Sequence, residues 1–123
     1  MKAVNALLNS EGGTLIVGVD DAGEVLGLEN DLSSFGNKGK DGFLLHFDNM
    51  ISSYLGKEYA ADISGRFEVL EKQDIFVVEV SASNKPVFID KDGAKLFFVR
   101  HSASSQPHDM SEAFEYISKH WNK

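Results

Sequence analysis

The chain has 123 residues, 42% of them hydrophobic and 25% charged, enough apolar material for one domain with its own core. Nineteen acidic against twelve basic residues leave a net charge of −7. That excludes a surface given over wholly to phosphate neutralisation, though not a local basic stripe. Cysteine is absent, which excludes disulfides and thiolate metal sites, and neither a secretory leader nor a bilayer-length apolar run is visible. The expected location is cytoplasmic, without membrane contact.

In chain order, Met1 to Ser10 reads as the last turns of a helix, with Val4, Leu7 and Leu8 at i, i+3 and i+4. So short a helix rarely stands alone. It either packs on the strand that follows or is cut from a longer element, and the second is preferred here. Gly12 and Gly13 stop it, because glycine turns into the left-handed region without a Cβ clash. Thr14 to Val19 is nearly continuous in apolar and β-branched residues, as a strand covered on both faces would be. Asp20-Asp21-Ala22-Gly23 is a turn, and Glu24 to Leu28 alternates like a returning edge strand. Gly18 and Gly27, in this strand pair, are read with Gly12, Gly13 and Gly23 as structural glycines.

Glu29 to Asp41 is polar, carries Lys38 and Lys40, and is the expected mobile loop. Asp41 stands where an N-cap belongs, and Phe43, Leu44, Phe47, Met50, Ile51, Tyr54 and Leu55 follow at helical spacing. This predicts a helix over about 42–55 that stops at Gly56 and leaves His46, Asp48, Asn49, Ser52 and Ser53 toward solvent. Ala60 to Leu70 and Asp74 to Val80 form a second strand pair through Glu71-Lys72-Gln73, with Gly65 marking a bulge and Ile75 to Val80 a central strand. Pro86 fixes an extended entry to Val87-Phe88-Ile89, and Asp90-Lys91-Asp92-Gly93 turns the chain into a strand from Lys95 to Arg100. His101 to His108 reads as a serine-rich loop. Ser111 caps a closing helix over 111–121, with Phe114, Tyr116, Ile117 and Trp121 on one face.

Strand pairs joined by tight turns predict an α+β fold over a single domain, 1–123. It has a mixed, mostly antiparallel sheet of about six strands, two main helices and a short N-terminal helix.

Two segments offer chemistry. Asp20 and Asp21, with Glu11 and Glu24 nearby, could hold a divalent cation or simply build a turn. Successive strand residues point opposite ways, so at most one of the two aspartates faces a given site. Arg100-His101-Ser102-Ala103-Ser104-Ser105-Gln106 offers a guanidinium, an imidazole and several hydroxyls, suited to gripping a phosphate or equally to a solvated connection. Lys38, Lys40 and Lys57 would extend a basic patch. No phosphate loop, zinc-spaced histidine set or activated nucleophile stands out, so a self-contained active site is not visible.

The run Val4 to Asp21, with its Asn9-Ser10-Glu11-Gly12-Gly13 core and Val17-Gly18-Val19 strand, resembles the AlbA-like, Schlafen-type DNA-binding domain. Gly23-Glu24-Val25-Leu26-Gly27, Lys85-Pro86-Val87 and Phe97-Phe98-Val99-Arg100-His101-Ser102-Ala103-Ser104-Ser105 extend the resemblance, in order, over nearly the whole chain. The strand and glutamate-bearing helix with which such domains usually begin have no counterpart here, which implies a domain belonging to a larger protein.

The resemblance implies a nucleic-acid-binding or regulatory module of a bacterial transcriptional regulator, helicase-like or ATPase-like protein, without autonomous catalysis. Its DNA or RNA contacts would come from Arg100, His101, Ser102, Ser104, Ser105, Lys38 and Lys40. The expected arrangement sets the Arg100 loop beside the Gly-Gly strand and within reach of Asp21. One alternative is a Schlafen-like endoribonuclease core completed by upstream glutamates, with Asp21 as its catalytic and metal-binding acid and Mg²⁺ or Mn²⁺ as cofactor. Without that activity no cofactor is expected. The other alternative is a protein-interaction or oligomerisation domain, using Phe97, Tyr116 and Trp121 as exposed aromatics.

Overall fold

A computed structural model describes residues 1–102 and 104–121. The elements run α1 (Lys2–Leu8), β1 (Gly13–Val17), α2 (Glu29–Ser33), α3 (Gly39–Tyr54), β2 (Ile63–Leu70), β3 (Gln73–Val80), β4 (Ile89–Lys91), β5 (Ala94–His101), β6 (Ser104–His108) and α4 (Met110–His120). Short 3₁₀ turns at Gly36–Lys38 and Lys57–Asp62 flank α3. The fold is α+β, and its six strands divide into two antiparallel sheets, ordered β1-β3-β2 and β4-β5-β6. Among the described residues, no helix is long and apolar enough to cross a membrane.

β3 is central, as its dense β-branched run predicts, and Ile75 to Val78 are all buried. β1 departs from expectation. Among the described residues it pairs only with β3, from Gly13 opposite Val80 to Val17 opposite Phe76, so it is an edge strand with Ile16 and Val17 exposed. An apolar run records affinity for burial but not which neighbour arrives to supply it. The strand expected over 24–28 is reduced to one bridge between Val19 and Val25. The Asp20 carboxylate accepts the backbone N–H groups of Ala22 and Glu24, and this local bonding shapes the turn in place of a ladder.

α1 is the centre of the molecule. Val4, Asn5, Ala6, Leu7, Leu8 and Asn9 are all buried, so every side of the helix is covered rather than a single stripe. Its Leu8 and Ala6 share the main core with Phe76 and Val78 of β3, Ile51 and Leu55 around the end of α3, and Val87, Ile89 and Phe98 beside β5. Gly12 leaves α1 with φ of +73°, and a Cβ there would stand 2.5 Å from the carbonyl oxygen of Val80. This close approach lets the helix end turn directly into the sheet.

α3 buries the predicted face and leaves His46, Asp48, Asn49, Ser52 and Ser53 exposed. It begins two residues before Asp41, which lies inside the first turn and caps nothing. The polar segment before it is partly helical rather than a continuous loop. Gly65 makes no bulge, since β2 and β3 keep an unbroken register from Ile63–Val80 to Leu70–Gln73. Its missing side chain instead makes room for the rings of Phe76 and Phe47. The closing helix is capped by Asp109 in a reciprocal capping box with Glu112, not by Ser111. Ala113 is buried against Phe97 and Val99, with Tyr116, Ile117 and Trp121 packed around them, whereas Phe114 points to solvent. The expected exposed aromatics are thus displaced: Phe97 is buried, and Tyr116 and Trp121 are half-covered.

Candidate nucleic-acid interface

The segment expected to be a serine-rich loop is a hairpin. β5 and β6 pair from Phe97–His108 to His101–Ser104, with Ser102 at φ +55° in the turn. Pro107 concealed β6 from a reading of the sequence, because proline cannot donate to a ladder; it is tolerated here because β6 is an edge strand. Ala103 lies outside the described residues.

Pairing sorts the candidate side chains between two faces. Arg100 stands opposite Ser105, on the face shared with Phe98 and the main core. His101 stands opposite Ser104, on the face where Phe97 and Val99 meet α4. Arg100 is tied at its backbone, where its N–H donates to Ser10 Oγ at 3.0 Å, and its Nε donates to the Ser102 carbonyl at 3.2 Å. Both Nη groups remain without a partner among the described residues, and no carboxylate there forms an ion pair with Arg100. The chain's other arginine, Arg66, is held by Glu79 and Glu68. On the α4 face, Ser104 Oγ donates to the His101 carbonyl and accepts from Gln106, and His101 Nε2 lies 3.5 Å from His108 Nε2.

The remaining candidates lie elsewhere. Lys40 pairs with Asp74 at 3.1 Å over the ring of Phe67, at the end of β3 opposite Val80. Ser10 and Gly12 adjoin the Val80 end, so Lys38 and Lys40 are separated from Arg100 by the length of β3, about 20 Å. Asp21 follows the other end of β1, about 16 Å along that strand from Gly12, whose near neighbour Ser10 accepts the Arg100 N–H. The expected approach of Arg100 to Asp21 therefore does not occur: the hairpin rests beside the glycine pair, and the acidic turn lies at the far end. Among the described residues, no three His, Asp or Glu side chains converge to hold a metal ion, at Asp21 or elsewhere.

The residues that sequence reasoning missed are Asn5 and Asn9. Both are fully buried. Asn5 accepts from the Phe98 N–H and donates to the Val87 carbonyl, both within 2.9 Å. Asn9 accepts from the Val87 N–H and donates to the carbonyls of Val87 and Phe98. Two asparagines at i, i+4 in an otherwise apolar helix were the available signal, since a buried amide needs partners. Ser83 supports the same junction: its N–H donates to the Leu8 carbonyl, and its own carbonyl accepts from the Trp121 indole. Tyr116 adds a bond from its hydroxyl to the Asn9 carbonyl.

Fold and site together define an α+β domain in which a buried asparagine-bearing helix holds a solvent-facing arginine hairpin. Residues 1–109 match the family described as Schlafen, AlbA_2, and the chain belongs to that family. Its fold is similar to that in the crystal structure of the DIP2311 protein from Corynebacterium diphtheriae, with a TM-score of 0.60 and 24% identity. The match covers 95% of this chain and 20% of that one, so this chain spans about a fifth of that protein's length. No curated protein matches it in sequence.

Proposed function

We propose that this domain is a non-catalytic nucleic-acid-binding module of a larger regulator or helicase- or ATPase-like protein, and that it grips the phosphate backbone with the β5–β6 hairpin. The observation that carries this reading is the Arg100 guanidinium, free at both Nη groups among the described residues, beside Ser102 and opposite Ser105. A planar fork on a braced hairpin is suited to a phosphate, and the nearby hydroxyls add neutral donors. Family membership and a structural neighbour several times longer support the same reading. With a net charge of −7, binding should be weak and strongly salt-dependent.

The test is fluorescence anisotropy with labelled duplex DNA, single-stranded DNA and RNA across a salt series. Binding at low salt that weakens in Arg100→Ala but not in Arg66→Ala is the expected result. Absence of binding to all three polymers at the lowest salt would overturn the proposal.

Protein–protein contact is a second reading, favoured by one feature. Met110 and Phe114 are 89% and 71% exposed beside an apolar groove of about 320 Å³ lined also by Phe88 and Ile117. If a second copy covers it, light scattering will show concentration-dependent dimers that Phe114→Ser abolishes.

A further inference from the structure

We infer that His101 and His108 form a two-histidine site for a divalent transition-metal ion of the zinc, nickel or copper class, on the α4 face of the hairpin. Their Nε2 atoms are 3.5 Å apart. That separation is long for a hydrogen bond between nitrogens. Two imidazole nitrogens bound to one tetrahedral ion at about 2.05 Å stand about 3.3 Å apart, so the gap suits a bridging ion better than a shared proton. The ring centroids are 5.7 Å apart with planes inclined by 31°. The modest rotation that converges both lone pairs on one point falls to His101, which is exposed.

The other nitrogen of His108 points to the same conclusion. Its Nδ1 is buried without a hydrogen-bond partner among the described residues, on a ring packed against Phe97 and Tyr116. Nδ1 is enclosed, so an ion reaches this ring through Nε2, the nitrogen that faces His101. With the proton on Nδ1, the Nε2 lone pair is left free toward His101. This is the tautomer that a metal bound at Nε2 requires. Among the described residues no third His, Asp or Glu joins the pair, so water or an oxygen of another molecule fills the remaining positions. Mg²⁺ and Ca²⁺, which demand oxygen ligands, are the wrong ions for it. Bound across the hairpin, the ion would clamp β5 to β6 near Arg100.

Isothermal titration of the full chain with Zn²⁺ and Ni²⁺ tests the site, with Mg²⁺ as the control ion. One equivalent of Zn²⁺ should bind, with a rise in melting temperature, and Mg²⁺ should give neither. His101→Gln should weaken Zn²⁺ at least about tenfold, while His46→Gln, at an exposed position on α3, leaves it unchanged. Histidine ring nitrogen spectra supply a second readout, in which Zn²⁺ should shift Nε2 of both His101 and His108. Absence of binding at millimolar Zn²⁺, undiminished binding by His101→Gln, or unmoved Nε2 resonances would each overturn the site.

Discussion

Val87 and Phe98 stand opposite each other in the register that β4 and β5 begin, yet their peptide groups bond to the side chains of Asn5 and Asn9 rather than to one another. The two carboxamides act as inserted rungs, opening the ladder and fastening α1 into it. Asn9→Ala would strand the Val87 N–H and the Phe98 carbonyl without partners in a dry interior. The expected cost is about 3–5 kcal/mol, seen as a fall in the urea midpoint at constant m-value. A loss below about 1 kcal/mol would mean that water or a restored ladder replaces the amide.

Two glycines exclude a methyl group for different reasons. Gly12→Ala combines a left-handed φ with a backbone clash at Val80, and about 2 kcal/mol or more should be lost. At Gly65 the backbone is ordinary, but a Cβ would lie 2.3 Å from Phe76 Cζ, so overpacking of the ring cluster should cost about 1–3 kcal/mol. Thermal denaturation of the two variants checks both. Gly65→Ala should also alter the aromatic near-ultraviolet dichroism, because Phe43, Phe47 and Phe67 all pack on Phe76.

Helix α4 offers a comparison between neighbouring polar residues. Asp109→Ala removes the acceptor for the Glu112 N–H and should destabilise the protein by about 1 kcal/mol. Ser111→Ala, within the first turn and exposed, should change stability by less than about 0.5 kcal/mol. The reverse order in a denaturant series would refute the capping assignment.

Burial holds the Tyr116 phenol above the ordinary tyrosine range, the Glu11 carboxylate adds to the effect, and a bond with Ser10 partly offsets it. A raised folded-state pKa means that the folded protein keeps the proton longer than the unfolded chain. The stabilisation is complete below the ordinary tyrosine value of 10.0 and is lost as pH rises through the folded-state pKa. Spectrophotometric titration should show a late tyrosine ionisation, and Tyr116→Phe should remove that late step. A late step that survives in Tyr116→Phe would contradict this.

If the hairpin binds nucleic acid, Lys38 and Lys40 should contribute little, because they lie at the far end of β3 and Lys40 is already paired with Asp74. Arg100→Ala should reduce the slope of log K against log salt by about one, whereas Lys38→Ala and Lys40→Ala should leave it within error. A larger effect from the lysines would move the interface to the start of α3.

Where local chemistry decided the outcome, it could be read directly from the residues. Asp92-Gly93 made its turn, the apolar spacing from Phe43 to Leu55 chose the buried face of α3, and the β-branched run in β3 marked a central strand. The Gly-Gly and arginine segments were also enough to point to the family. The sequence by itself thus determined the two main helices, the central strand and the kind of domain, though not β6 or α2. Only the tertiary structure decided that β1 lies at an edge, that His108 meets His101, and that Arg100 and Asp21 stand apart. It alone showed Asn5 and Asn9 threading a strand pair about 80 to 90 positions away. Periodicity reports how much burial or bonding a residue needs, whereas the partner that meets the need is fixed by packing between distant segments.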